Sequence, residues 1–239
     1  MAGKQALIVP ALKKQTATII MAHGLGDSGA GWVSLAESWR RRGKFEDVKF
    51  VFPNAPNIPI TVNLGMSMPG WYDIISLSRQ ADFSALKQAH DEPGILRSRT
   101  TFSKLITDEI DSGIPSNRII LGGFSQGGAM SIFTGVTTPY KLGGVFGLSC
   151  YLLMGDKIKD LAKEAQDANK DTPFFMGHGD ADEVVKYQWG QQTAEFLKNE
   201  LGYRVEFKTY RNLRHSADMQ EIDDLEEFIK RCLPPTGSL

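Results

Sequence analysis

The chain has 239 residues, 41% of them apolar, and a formal net charge of −1 with acidic and basic residues mixed along its length. That size and apolar share suit one large domain, expected over residues 1–239 with an ordered core at 7–235, and no linker, repeat or low-complexity tract divides it. The charge balance argues against a nucleic-acid surface, and no apolar run approaches the roughly 18 residues of a membrane span.

Thr16 to Ala22 reads as a buried strand running into His23-Gly24-Leu25-Gly26-Asp27-Ser28-Gly29, a glycine-rich loop. Trp32, Leu35, Ala36 and Trp39 then recur at helical spacing, with Gly43 as the stop. Arg40-Arg41-Arg42 with Lys44, the one basic run, sits where that helix ends and answers its dipole. Val48 to Phe52 is the next strand, closed by Pro53. From Asn54 to about Ser84 the pattern is irregular, and a long loop in a compact domain is usually functional. Its segment Pro69-Gly70-Trp71-Tyr72-Asp73-Ile74-Ile75 either lines a site or anchors the loop.

A helix opens near Glu92-Pro93, carries Ile95, Phe102, Ile106 and Ile110 on one face, and ends at Gly113-Ile114-Pro115. Arg118 to Met130 follows: an aliphatic run, glycines, one serine, then small residues suited to a closely packed helix. Gly123-x-Ser125-x-Gly127 there has the form of a nucleophile elbow, a strand-to-helix turn tight enough to leave the serine side chain protruding. Leu142 to Leu148 and Pro173 to Met176 are further strands, the second leading into His178-Gly179-Asp180-Ala181-Asp182. Trp189, Phe196, Leu197 and Leu201 mark a helix closed by Gly202. Val205, Phe207 and Thr209 alternate as a strand with one wetter face. His215 follows a loop at Arg211 to Arg214, and Ser216 is placed to cap a helix carrying Ile222, Leu225 and Ile229.

Strands alternating with helices predict an α/β domain with a mostly parallel sheet and a site at the carboxyl ends of its strands. Ser125, the Asp180/Asp182 pair and His215 all fall just after predicted strands. A serine hydroxyl becomes a nucleophile only when a base takes its proton, and that base needs a third group to fix its tautomer. The order Ser, Asp, His is that of α/β-hydrolases. Of the four histidines, His90 lies in a charged stretch, and His23 and His178 precede glycines at strand ends, where structural hydrogen bonds are expected. Spacing alone does not choose between Asp180 and Asp182. The backbone N–H groups of Gln126 and Leu25 are the expected oxyanion donors.

The two cysteines, Cys150 and Cys232, are far apart and without metal-ligand spacing, so neither a disulfide framework nor a bound metal is expected. No charged-then-apolar leader is present. The start Met1-Ala2-Gly3 lacks a glycine at position 2, and no cysteine precedes Cys150, so lipid anchoring at the N-terminus is not expected.

At these residues the chain resembles the acyl-protein thioesterase and lysophospholipase group of α/β-hydrolases, from about Leu7 to Pro235. The matching stretches include His23-Gly24-Leu25-Gly26-Asp27, Pro53-Asn54-Ala55-Pro56, Trp71-Tyr72-Asp73-Ile74, Gly113 to Gly128, His178-Gly179-Asp180-x-Asp182 and His215-Ser216. The resemblance implies an α/β-hydrolase fold, Asp182 as the triad acid and Asp180 as a supporting residue. It also implies hydrolysis of long-chain thioesters on S-acylated proteins, side activity on lysophospholipids or small esters, no cofactor, and a cytoplasmic setting with a nuclear share allowed. Transient membrane contact and a weak homodimer are compatible with it. Acyl length then depends on an apolar channel, with Leu25, Trp71, Ile75, Leu77, Leu152 and Val184 as its expected lining. Two stretches depart from the group's pattern. Val184-Val185 is followed by Lys186 where a proline is common, and Leu153 to Thr172 is charged with helical spacing at Lys157 to Ala168.

Overall fold

Four strands carry nearly continuous apolar runs, the pattern of parallel strands covered on both faces. In a computed structural model that describes residues 5–75 and 91–235 these are β2 (Ala17–Ala22), β6 (Ile119–Phe124), β7 (Gly144–Leu148) and β8 (Pro173–Gly179). With β1 (Leu7–Val9), β3 (Val48–Phe52) and β9 (Arg204–Tyr210) they form a seven-stranded sheet in the order β1-β3-β2-β6-β7-β8-β9. Every pairing is parallel except that of β1 with β3. All six residues of β2 are buried, whereas the edge strand β9 is mostly half-exposed, as its alternating sequence requires.

Helices cover both faces. On one, α1 (Ala30–Arg41) and α6 (Met219–Cys232) pack Ala36, Trp39, Leu225, Phe228 and Ile229 against Ile19, Phe50 and Phe175. On the other, α2 (Glu92–Asp111) and α3 (Gln126–Thr137) contribute Ile95, Phe102, Ile106, Ala129, Phe133 and Val136, with α4 (Ile158–Glu164) and α5 (Tyr187–Glu195) beside them. Every residue of α3 is buried, which explains why that helix is built from glycine, alanine and other uncharged residues. Fully buried aromatics such as Trp39 and Phe228 each stabilise the fold by about 2–3 kcal/mol.

The helix ends follow local chemistry. α2 is capped by Asp91, whose carboxylate accepts the Gly94 N–H, and Pro93 lies in its first turn, where the missing N–H costs nothing. Arg40 closes α1 by donating to the carbonyls of Phe45, Val48 and Pro10. α6 is capped by Asp218, which accepts the Glu221 N–H at 2.8 Å, and not by Ser216. Ser216 instead continues the turn after His215.

Two elements lack the patterns read above. β1 is only three residues long and largely exposed. The irregular stretch after Pro53 contains a hairpin of β4 (Asn57–Ile60) and β5 (Met66–Pro69), joined through a short 3₁₀ turn at Thr61–Asn63. The predicted loop's remainder at 76–84, with Leu77 in it, and His90 lie outside the described residues. The departure at Leu153 to Thr172 holds α4, shorter than the helical spacing suggested.

The sheet order reverses between β2, whose chain next builds β3 on one side, and β6, whose chain next builds β7 on the other. Ala22 and Gly123 are register partners at this switch point. The loops after β2 and β6 therefore leave the sheet side by side, where α/β folds form ligand crevices.

Candidate active site

At the end of β6 the chain must reverse into α3 while pressed against β2. A Cβ on Gly123 would lie 2.5 Å from the Ala22 carbonyl oxygen, and one on Gly127 would lie 2.4 Å from the same atom. No other residue fits either position. Ser125 between them has φ 53° and ψ −119°, an unfavourable conformation for a residue with a Cβ. Its N–H is held by the Leu148 carbonyl at 2.8 Å, and its side chain makes no cap hydrogen bond to α3. The hydroxyl is thus left to a partner outside the helix.

That partner is His215, whose Nε2 lies 3.0 Å from the Ser125 Oγ. His215 Nδ1 lies 2.7 Å from Asp182 Oδ2. The other carboxylate oxygen, Oδ1, accepts the backbone N–H groups of Val184 and Val185 at 2.8 and 2.9 Å. Asp182 is buried, and burial by itself would raise its carboxyl. Donors from His178 and His215, with the Val185 N–H, outweigh that and hold it well below the usual carboxylate range. His178 Nε2 lies 3.5 Å from Asp182 Oδ2 while donating to the Val185 carbonyl at 2.9 Å. Asp182 is therefore an anion aimed at the far nitrogen of the imidazole that faces Ser125.

Asp180 has a different place. It is exposed, and its Oδ1 accepts the Asn212 N–H at 2.6 Å, tying the end of β8 to the turn before His215. Ala181 N–H donates to the Leu213 carbonyl at 3.1 Å in the same seam. His23 is fully buried, with Nδ1 donating to the Gly24 carbonyl at 2.7 Å and Nε2 accepting the Ala55 N–H at 3.0 Å. Burial holds it neutral by lowering its pKa.

The two residues expected to supply oxyanion donors, Leu25 and Gln126, both line the cleft that holds Ser125. Gln126 opens α3, so its N–H has no intrahelical acceptor. In the loop after β2, the Gly26 N–H is taken by the Pro69 carbonyl and the Asp27 N–H by the Gly24 carbonyl. Leu25 lies between those two ties, on the wall of the cleft that holds Ser125.

That cleft has a volume of about 340 Å³ and is walled by Leu25, Val62, Tyr72, Ile74, Phe124 and Val184 above Ser125 and His215. Of the expected lining, Leu25 and Val184 stand on this wall. Trp71 and Leu152 do not, because both are buried in the core beneath it, 1% exposed each. Ile75 is exposed beside Ile74. Trp71 serves as an anchor: its indole N–H donates to the His23 carbonyl at 2.8 Å and its backbone N–H to the Gln126 side-chain oxygen at 2.7 Å. The Gln126 amide also donates to the Tyr72 carbonyl at 2.6 Å. Gln126 thus fixes the loop that forms one wall, a role for which the sequence offers only the adjacency of Gln126 to the serine. Tyr72 and Ile74 fall in the segment expected to line a site or anchor the loop, and both stand on the cleft wall. Val62, in the turn of the hairpin before them, has no such signal, since that hairpin has no local signature beyond its prolines and glycines. Lys186, at the departure after Val185, sits just before α5 with its ammonium 5.4 Å from the Trp189 ring centroid, away from the wall.

Residues 4–233 match the phospholipase/carboxylesterase family. An acyl-protein thioesterase 1 of Emericella nidulans is 61% identical over 228 residues, covering 95% of each chain. One of Aspergillus fumigatus is 56% identical over 229 residues, covering 95% of this chain and 92% of that one. The crystal structure of Zea mays acyl-protein thioesterase 2 superposes with a TM-score of 0.83 at 27% identity, covering 96% of this chain and 99% of that one. Among the described residues, no helix is long and apolar enough to cross a membrane.

Proposed function

The chain belongs to the phospholipase/carboxylesterase family of α/β-hydrolases, in its acyl-protein thioesterase group, and we propose that it cleaves long-chain acyl thioesters from S-acylated proteins through Ser125, His215 and Asp182. The observation that carries this reading is the linear relay from Asp182 Oδ2 to His215 Nδ1 at 2.7 Å and from His215 Nε2 to Ser125 Oγ at 3.0 Å, opening on an apolar cleft.

In this reading the Ser125 hydroxyl donates to His215 Nε2, which takes the proton as Oγ attacks the acyl carbonyl. Asp182 stabilises the resulting imidazolium without becoming protonated. The tetrahedral oxyanion is met by the N–H groups of Leu25 and Gln126, each worth about 3 kcal/mol to the transition state. The thiolate leaves with little need of a proton, giving an acyl-enzyme on Ser125. The departed thiolate takes up the proton held on His215, and the neutral imidazole then deprotonates a water that attacks the acyl-enzyme, passing that proton to Ser125 Oγ as the fatty acid leaves. The alkyl chain lies against Val62, Ile74 and Val184. Oxygen esters of lysophospholipids, or small esters, would follow the same course more slowly, because an alkoxide must be protonated by His215 as it departs. The domain is read as spanning the chain, with no cofactor in the reaction.

The test is incubation of the protein and its Ser125→Ala variant with a palmitoylated peptide thioester, following thiol release and intact mass. Release with a transient adduct of palmitoyl mass on the unmodified protein alone is expected. Turnover of butyryl but not palmitoyl substrates would instead assign a short-chain carboxylesterase.

A further inference from the structure

Among the described residues three buried acids take no part in this mechanism: Glu109 pairs with Lys49 and Glu226 with Arg42 and Lys230, whereas Glu221 pairs with nothing. Glu221 is the third residue after the α6 cap Asp218, the position from which a glutamate usually reaches back to the cap N–H. Here it does not. Its side chain is 0% exposed, and neither carboxyl oxygen has a hydrogen-bond partner among the described residues. It turns inward over β8, where a Cβ on Gly177 would lie 2.4 Å from Glu221 Oε1. The glycine is what admits it.

The contact joins β8, which leads to Asp182, to the first turn of α6, which follows His215. Glu221 lies six residues after His215, and Gly177 five before Asp182. Among the described residues the groups that act on it or respond to it are acidic or neutral: Asp218 at the α6 cap, Asp224 on α6, Asp182 after β8, Tyr210 at the end of β9 and Cys150 after β7. Tyr210 spends its hydroxyl proton on Asp224 at 3.0 Å, and Lys208 also pairs with Asp224, at 2.8 Å. Ser149 Oγ and His178 Nδ1 are also buried without hydrogen-bond partners among the described residues. Asp182 thus has imidazole and backbone donors and Glu221 has none, so the two carboxyls are driven to opposite protonation states.

From this cluster we propose that Glu221 is a positioning residue for the triad: an uncharged carboxylic acid, wedged between the first turn of α6 and Gly177, that seats the His215 loop against the Asp182 loop and releases it on ionising. Burial, and then the neighbouring aspartates, push its pKa up to about 8, so the uncharged form is the resident one at neutral pH. Above that, an unpaired anion in this position is driven toward water, and the start of α6 moves with it.

The proposal rests on the triad reading, and its test is the pH profile of kcat/KM for a palmitoyl thioester in wild type, Glu221→Gln, Glu221→Ala and Ser125→Ala. Wild type should lose activity about tenfold per pH unit beyond its titration point. Glu221→Gln, an uncharged shape mimic, should keep at least half the activity at pH 7 and stay flat to pH 9. Glu221→Ala should lose at least tenfold at pH 7. A glutamine variant with the wild-type alkaline loss, or an alanine variant as active as wild type, overturns the proposal while leaving the triad in place. Activity retained in Ser125→Ala removes the triad and the proposal together.

Discussion

Asp180 and Asp182 leave the end of β8 two residues apart and serve different partners: Asp182 Oδ2 meets His215 Nδ1 at 2.7 Å, while Asp180 Oδ1 accepts the Asn212 N–H at 2.6 Å. Asp182→Asn should lower kcat by about 10⁴, because the amide favours the wrong imidazole tautomer and cannot stabilise the imidazolium. Asp180→Asn weakens a charge-assisted hydrogen bond at the surface and should cost about 1 kcal/mol of stability with kcat nearly intact. Steady-state kinetics and urea denaturation of both variants check the pair. The opposite ranking would exchange their roles.

The backbone of Ser125 yields a second expectation. At φ 53° and ψ −119° a Cβ is strained by about 1–3 kcal/mol, and glycine is not. Ser125→Gly should therefore be more stable than Ser125→Ala by about 1 kcal/mol, reversing the usual order for a residue beside a helix. Both variants should be inactive. Thermal denaturation of the two decides it, and greater stability of the alanine variant would mean the elbow is unstrained.

The same elbow shows why parts of this molecule could be read from sequence. Gly123, Ser125 and Gly127 encode their geometry locally, and the apolar runs of β2, β6, β7 and β8 announce buried parallel strands. Order along the chain then puts Ser125, Asp182 and His215 at one sheet edge. The cleft was less legible because its wall is assembled from distant segments. Val62 comes from the turn of a hairpin whose strands hold prolines, and Val184 from the loop after the acid. Trp71 looks like a lining residue by composition, but the direction of its indole is set by the His23 carbonyl, which no local pattern reveals. The cap of α6 failed for a related reason: Ser and Asp are both good caps, and Asp218 prevails where the chain first turns helical.

Val62 offers a direct test of that wall. Its turn is tethered by Asp73, which accepts the Thr61 N–H at 2.7 Å and the Thr61 hydroxyl at 2.6 Å, so a larger side chain cannot simply swing away. Val62 is also 38% exposed, and Val62→Trp should fold. Filling part of a cleft of about 340 Å³ should reduce kcat/KM for palmitoyl relative to butyryl thioesters by at least about tenfold, the effect of losing one or two well-packed methylenes. Measuring both chain lengths on one leaving thiol gives the ratio. An unchanged ratio would place the acyl chain elsewhere.

Asp182 and Glu221 make opposite contributions to stability as pH changes. Asp182 is held below its ordinary 3.8, so its contribution is present above that value and is lost as pH falls through its folded pKa. Glu221 is raised from 4.5 to about 8, so its contribution is full below 4.5 and is lost as pH rises toward 8. Over that interval the unfolded chain has released a proton that the folded chain retains, and wild type should lose about 1.4 kcal/mol per pH unit from this one group. Glu221→Gln has no such proton. The stability difference between variant and wild type, taken from urea midpoints, should therefore grow in the variant's favour from pH 4.5 and level off near pH 8. A difference that stays constant across that range would mean Glu221 is ionised in the folded protein, and the wedge over Gly177 would then have to find a counter-charge that none of its neighbours supplies.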